Sequence, residues 1–238
     1  MSLMNLRNDG KVAIISMDNG KNANNLMFAQ ELLGRLKQAE ENKTNKALIL
    51  ASSDEKNWSQ GIDVAWLMGS IQSGKSDDVK TFLSTMDEIY SVMMQYPMPV
   101  IAAINGHTFG NGVVIAAACD FRFMRSDRGY VCFPEVDMNI PFVPGLIDVI
   151  LKAMPRYKFN EMILTGRRLG AEELSKANFI DQTFDSIETL NDGVMAFAKT
   201  FNKSRAIFAE HKRRLHKPAL DALAEKNPPV IEALDILL

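Results

Sequence analysis

Three observations predict an α/β fold for this chain of 238 residues. Short β-type runs alternate with helical patterns, two of the apolar runs end in glycine-bearing strand-to-helix junctions, and 47% hydrophobic against 24% charged residues suffices for one large core. In order, "VAIISM" (12–17) reads as a strand, and "NNLMFAQELLGRLKQAEEN" (24–42) as a helix with Leu26, Leu33 and Leu36 on one stripe. "KALILAS" (46–52) returns as a buried strand, residues 77–96 form a second helical stretch, and "PVIAAIN" (99–105) is another buried strand. "GVVIAAA" (112–118) is a helix of small residues and "DFRFMR" (120–125) a further strand, whereas "SGKSDD" (73–78) reads as a mobile loop. From about Ala196 the pattern is helical and more basic, which predicts a core over 1–195 and a helical region over 196–238 that packs on a neighbour.

The charge balance narrows the partners. A net charge of −2 provides no global cationic field for nucleic acid or an anionic membrane. Cys119 and Cys132 fit neither a disulfide framework nor a zinc-ligand spacing, and no metal site is expected. The start "MSLMNLRNDGK" lacks the apolar stretch of a secretory signal, and the apolar runs elsewhere are short for a bilayer. The expectation is a cytoplasmic protein that engages neither nucleic acid nor membrane.

Chemistry is suggested where two buried strands end. Strand 46–52 leads into Ser59-Gln60-Gly61-Ile62-Asp63, and strand 99–105 leads into Asn105-Gly106-His107-Thr108-Phe109-Gly110-Asn111-Gly112. Glycine permits positive φ or a close backbone approach, and the residues after it offer amide N–H groups that a starting helix leaves unpaired. Two such turns side by side would aim donors at one oxygen, where removing one donor typically costs roughly 2.7–4 kcal/mol of transition-state stabilisation. The plain alternative is that these glycines only make tight turns.

The segments "WSQGIDV", "AAINGHTFGNGVVIAAACDFRFM" and "FPEVDMNIPFVPG", in this order and at these separations, resemble the crotonase superfamily, the enoyl-CoA hydratase/isomerase group. The resemblance runs from about residue 11 to 185 and weakens toward the C-terminus. It implies a crotonase-like spiral ββα core, a helical C-terminal region used in assembly, and a homotrimer or a dimer of trimers. The two oxyanion-hole amides fall at Ile62, after Gly61, and at Asn111, after Gly110. The oxygen they would hold is the thioester carbonyl of an acyl-CoA, with coenzyme A as part of the substrate and no separate cofactor. Lys21, Asn22 and Ala23 match the loop that meets the adenine in the family, and Ser59, Gln60, Gly61, Asp63 and Gly110 would border the bound thioester.

The carboxylates discriminate between activities. Family hydratases use two glutamates; here the first position is Val114 and the second is Glu135 in "FPEVD". Adding water suits two acid/base groups, whereas moving a double bond needs one that takes a proton from C2 and returns it to C4. The single glutamate resembles the pattern of Δ3-Δ2 enoyl-CoA isomerases, which implies conversion of 3-enoyl-CoA to trans-2-enoyl-CoA in fatty-acid oxidation. A hydratase or acyl-CoA hydrolase of the same fold, or a non-catalytic acyl-CoA-binding member, are the alternatives. Glu135 stands among Phe133, Pro134, Val136 and Met138, so burial is expected to raise its pKa.

Other candidates compete with structural roles. Asp63 is expected to cap the following helix, His107 to hydrogen-bond at a turn, Trp58 and Trp66 to pack, and both cysteines to be buried small hydrophobes. Asn111 could also use its side-chain amide on substrate. "EHKRRLHKP" (210–218) either reaches the coenzyme's phosphates or forms a solvated helix face. "GRRLGAEEL" (166–174) matches a family turn followed by a short helix.

Overall fold

The computed structural model describes residues 2–236. The chain opens with a hairpin, β1 (Met4–Asp9) and β2 (Val12–Met17), then β3 (Ala23–Asn24), α1 (Leu26–Glu41) and β4 (Ala47–Ser52). Next come β5 (Asn57–Ser59), β6 (Gly61–Ile62), α2 (Val64–Gln72), α3 (Ser76–Met94), β7 (Val100–Ile104) and β8 (His107–Phe109). These lead to α4 (Asn111–Ala118), β9 (Phe121–Arg125), β10 (Val131–Cys132), α5 (Glu135–Met138), α6 (Pro144–Leu151) and α7 (Arg156–Thr165). The remainder is α8 (Ala171–Lys176), β11 (Gln182–Phe184), α9 (Ile187–Lys199), α10 (Arg205–Leu215) and α11 (Lys217–Ala233).

The main sheet has six strands in the order β1-β2-β4-β7-β9-β11, antiparallel only at the β1–β2 hairpin. Strands of a parallel sheet are covered on both faces, so their sequences read as continuous apolar runs; every residue of β7 is buried. Along β2, Ala13 and Ile15 face the large core beneath α1, α3 and α4, while Val12 and Ile14 face a second core closed by Leu190 and Val194 of α9. Helix α1 turns Phe28, Leu32 and Leu36 fully inward, four residues apart, and leaves Leu26 and Leu33 half-buried at the rim of the stripe. Three short parallel strands, β10-β8-β5, form a second sheet, and β3 pairs with β6.

Several expectations change. Residues 76–78 of the expected loop are the first turn of α3, with Asp77 and Asp78 at its positive end. The C-terminal helices begin at Ile187, nine residues before the composition turns basic, because α9 covers the second sheet face with apolar residues. Helix α11 lies against α6 and α3 of its own chain. Arg205 at the start of α10 donates to the carbonyls of Glu40, Asn42 and Asn45, closing the C-terminal end of α1. Lys212 Nζ meets Asp120 Oδ2 at 2.6 Å in a nearly dry setting, with side-chain exposures of 5% and 11%. Cys119 and Cys132 are free and buried. Among the described residues, no helix is long and apolar enough to cross a membrane, and no cluster of three or more His, Cys, Asp or Glu is placed to hold a metal.

Candidate active site

Each junction is shaped by its own short polar residues. After β4, Asp54 Oδ1 accepts from the amides of Lys56 (2.9 Å) and Asn57 (2.6 Å), and Ser52 Oγ donates to Asn57 O (2.6 Å). This folds the polar loop so that β5 and β6 follow beneath it. The β3–β6 pairing sets Ala23 opposite Gly61 and Asn24 opposite Ile62, which joins the Lys21-Asn22-Ala23 loop to the first turn. Gln60 N donates to Lys21 O at 3.1 Å. Asn22, at φ 50°, is fully buried and spends its amide on Ser52 Oγ and Trp58 O, while its backbone N–H donates to Asn19 O at 2.9 Å, so it braces the loop from within. Lys21 is exposed. Ser59 Oγ donates to Asn22 O at 2.9 Å and accepts from Gly61 N at 3.2 Å.

The two turns touch. Gly61 has φ +77°, and a Cβ there would stand 2.5 Å from Phe109 O and 3.1 Å from Asn111 N. Only glycine tolerates both that backbone region and that approach. Asn111 opens α4, so its amide is among those the helix itself leaves without a partner. Its side chain is committed: Oδ1 accepts from Tyr90 OH and Nδ2 donates to Asn24 Oδ1 at 2.9 Å. Each polar atom of the Asn111 side chain thus already has a protein partner, whereas its backbone amide has none within the helix.

Glu135 is the first residue of α5, and Gly110 at φ +49° faces it: a Cβ at Gly110 would lie 2.8 Å from Glu135 Oε1. The residue is half-buried as a whole, yet its Oε2 is inside and has no hydrogen-bond partner among the described residues. Burial pushes the Glu135 pKa up to about 7, opposed only by its own backbone N–H. The walls that bury it differ from those expected. Phe133 is in the core, but Val136 and Met138 are 48% and 42% exposed. Instead Glu135 shares an apolar pocket with Ile62, Asn111, Val114 and Phe142.

Asp63 caps α2, accepting from Trp66 N at 3.1 Å. Trp58 is buried in the core and Trp66 stands edge-on to Phe82, so both pack. His107 lies against Tyr130 and Phe109, and its Nδ1 is buried without a partner, contrary to the expected hydrogen-bonding role. Burial, then Arg168 and Arg128, lower its pKa. The basic run 210–218 is not a free cationic patch: Lys212 is buried on Asp120, Glu210 takes Arg213 and Arg214, and Lys217 pairs with Asp221.

Two polar pocket residues escaped the sequence reading, Tyr90 and Asp87, both from α3. Asp87 accepts from Asn227 Nδ2 at 2.9 Å on each oxygen, and burial raises its pKa to about 7. The available signal was its place on the helix, four residues after Leu83 and three before Tyr90, an acid on an apolar stripe.

The family model described as enoyl-CoA hydratase/isomerase matches residues 7–228. The chain belongs to that family. This family member is 28% identical over 172 residues to enoyl-CoA delta isomerase 3 of Arabidopsis thaliana, covering 71% of each chain. It is 23% identical over 239 residues to human mitochondrial Delta(3,5)-Delta(2,4)-dienoyl-CoA isomerase, covering 94% of this chain and 72% of the relative. Among solved structures, human mitochondrial delta3-delta2-enoyl-CoA isomerase superposes with a TM-score of 0.87 at 19% identity, covering 97% and 90% of the two chains. A probable enoyl-CoA hydratase from Mycobacterium tuberculosis H37Rv gives 0.87 at 20% identity, covering 98% and 96%. The fold is thus the crotonase fold, an α/β core with a helical C-terminal region.

Proposed function

We propose that this family member converts 3-enoyl-CoA to trans-2-enoyl-CoA with Glu135 as its single acid/base. The observation that carries the reading is the unpartnered, buried Oε2 of Glu135 in a pocket where the side chain at position 114 is valine. An apolar wall holds a hydrocarbon chain but activates no water. In this reaction the Glu135 carboxylate takes a proton from C2, the amides of Ile62 and Asn111 hold the enolate oxygen, and the protonated carboxyl returns the proton to C4. A pKa near neutrality suits both halves of that transfer.

Coenzyme A enters as part of the substrate and no further cofactor takes part. The backbone of Lys21, Asn22 and Ala23 receives its adenine end, and Ser59, Gln60, Gly61 and Gly110 frame the thioester, while Asp63 holds the start of α2 beside it. The setting is fatty-acid oxidation in the cytoplasm by a homotrimer or dimer of trimers, with acyl-CoA as the partner and neither nucleic acid nor membrane. Asp87 favours a second reading, hydration, because it brings another carboxyl to the same pocket.

Glu135→Gln decides between them when isomerisation of 3-enoyl-CoA and hydration of 2-enoyl-CoA are assayed together. The expected result is dominant isomerisation in the wild type and a loss of about 10²–10⁴-fold in the variant. Dominant hydration would replace the isomerase reading, and unchanged turnover in the variant would remove Glu135 from it.

A further inference from the structure

Asp87 is an acid where an acyl chain would be expected to meet only hydrocarbon. It lines the same cavity as Glu135 and Val114, among Phe82, Leu83 and Met86 of its own helix. Its geometry is fixed from behind. Asn227 is fully buried in α11, accepts from Gly145 N at 2.7 Å, and offers its amide to both Asp87 oxygens at 2.9 Å. No cation pairs with Asp87 among the described residues. A carboxyl has about four acceptor sites, and one amide leaves most of them unfilled.

Position sets what the group can reach. Tyr90, which donates to Asn111, lies three residues further along α3, so Asp87 is about 4.5 Å back along the helix axis from the Asn111 end. Asp87 also borders an outer groove between α3 and α11, so it stands in the wall that separates that groove from the cavity. Both oxygens already lean on Asn227, in contrast to the bare Oε2 of Glu135. A held acceptor at the wall is suited to recognition rather than to moving protons at C2 and C4.

We propose that Asp87, held by Asn227, is a specificity-determining acceptor that selects an acyl chain carrying a hydroxyl group a few carbons beyond the thioester. The inference rests on the reading of this cavity as an acyl-CoA pocket. A plain hydrocarbon chain would desolvate the carboxyl and return nothing, whereas a hydroxyl donates the missing hydrogen bond.

The test measures binding by calorimetry, using saturated acyl-CoA analogues of one chain length in which a methylene replaces the thioester sulfur. One series is unsubstituted, and the other carries a hydroxyl at each of carbons 4 to 8 in turn. Wild type is expected to bind one hydroxylated analogue about tenfold or more tightly than the plain chain, and Asp87→Leu to bring that ratio to one or below. Asp87→Asn, which keeps an acceptor oxygen and the side-chain shape, should retain part of the preference. A ratio taken on one protein is insensitive to a partly unfolded fraction. A wild-type ratio near one at every position, or an unchanged ratio in Asp87→Leu, overturns the inference. Preference without isomerase turnover leaves it standing while the isomerase reading falls, and turnover without preference does the reverse. Failure of every analogue to bind overturns both.

Discussion

Glu135 illustrates what one buried carboxyl does to a whole protein. Its pKa rises from 4.5 to about 7 on folding, so the folded chain holds that proton more tightly than the unfolded one. The corresponding stability is fully present below about pH 4.5 and is lost as pH rises toward 7. Glu135→Gln lacks this dependence. Its stability relative to wild type, measured by urea denaturation, should therefore climb between those limits by up to about 3 kcal/mol. The base must be ionised to act, so wild-type kcat/KM should rise through pH 7 and then level; a flat profile would separate Glu135 from the rate. The sequence disclosed the direction of this shift and its cause, burial, but not which residues enclose the carboxyl. Val136 and Met138 are exposed on the α5 turn, and the pocket that takes Glu135 is lined by residues distant in the chain, Val114 and Phe142 among them. Asp87 was illegible for a related reason: in a helix that also carries Asp77, Asp78 and Glu88, a further acid reads as solvated unless its phase against Leu83 and Tyr90 is followed.

Short elements connect those residues to the scaffold. Helix α2 starts where Asp63 accepts from Trp66 N, immediately after the Gly61–Ile62 turn, so the cap fixes both the helix and the exit of the turn. Asp63→Ala should lower stability by about 1 kcal/mol in thermal unfolding and raise KM more than it lowers kcat, because the residue positions the turn without touching the reacting carbons. A kcat loss as large as that of Glu135→Gln would make Asp63 a reacting group. The long apolar runs were legible as strands because both faces of the parallel sheet are covered, and α1 and α3 by their helical period. The pairings β3–β6 and β10-β8-β5 were not, since strands of two or three residues leave no periodicity and are held by partners elsewhere in the chain. β1 was missed for another reason: at the sheet edge its six residues include only two apolar ones, Met4 and Leu6, too few to mark a strand.

At the scale of the molecule, the C-terminal helices complete the pocket as well as the surface. Ile231 of α11 and Ile236 beyond it line the cavity that holds Glu135, and Asn227 of α11 holds Asp87. Helix α10 is fastened by Lys212, whose ammonium pairs with Asp120 while Asp120 Oδ2 also accepts from Val100 N at 2.8 Å. Lys212→Met strips that acid of its cation in a dry setting and should cost about 3–5 kcal/mol by chemical denaturation. A cost below about 1 kcal/mol would show that water reaches Asp120 freely. The helical character of this region was legible from composition. That Lys212 turns inward within a run of basic residues was not, because charge alone does not tell a solvated lysine from one facing a buried acid.

The two enclosed cysteines have a practical corollary. Burial pushes the Cys119 thiol up to about 12 and the Cys132 thiol to about 11, so neither supplies a thiolate near neutrality, and neither is open to a reagent. A chromogenic disulfide reagent should count no reactive sulfur in the native protein and two after denaturation. One new cysteine at Leu164, 73% exposed on α7, could then carry a fluorophore while the natural pair stays in place.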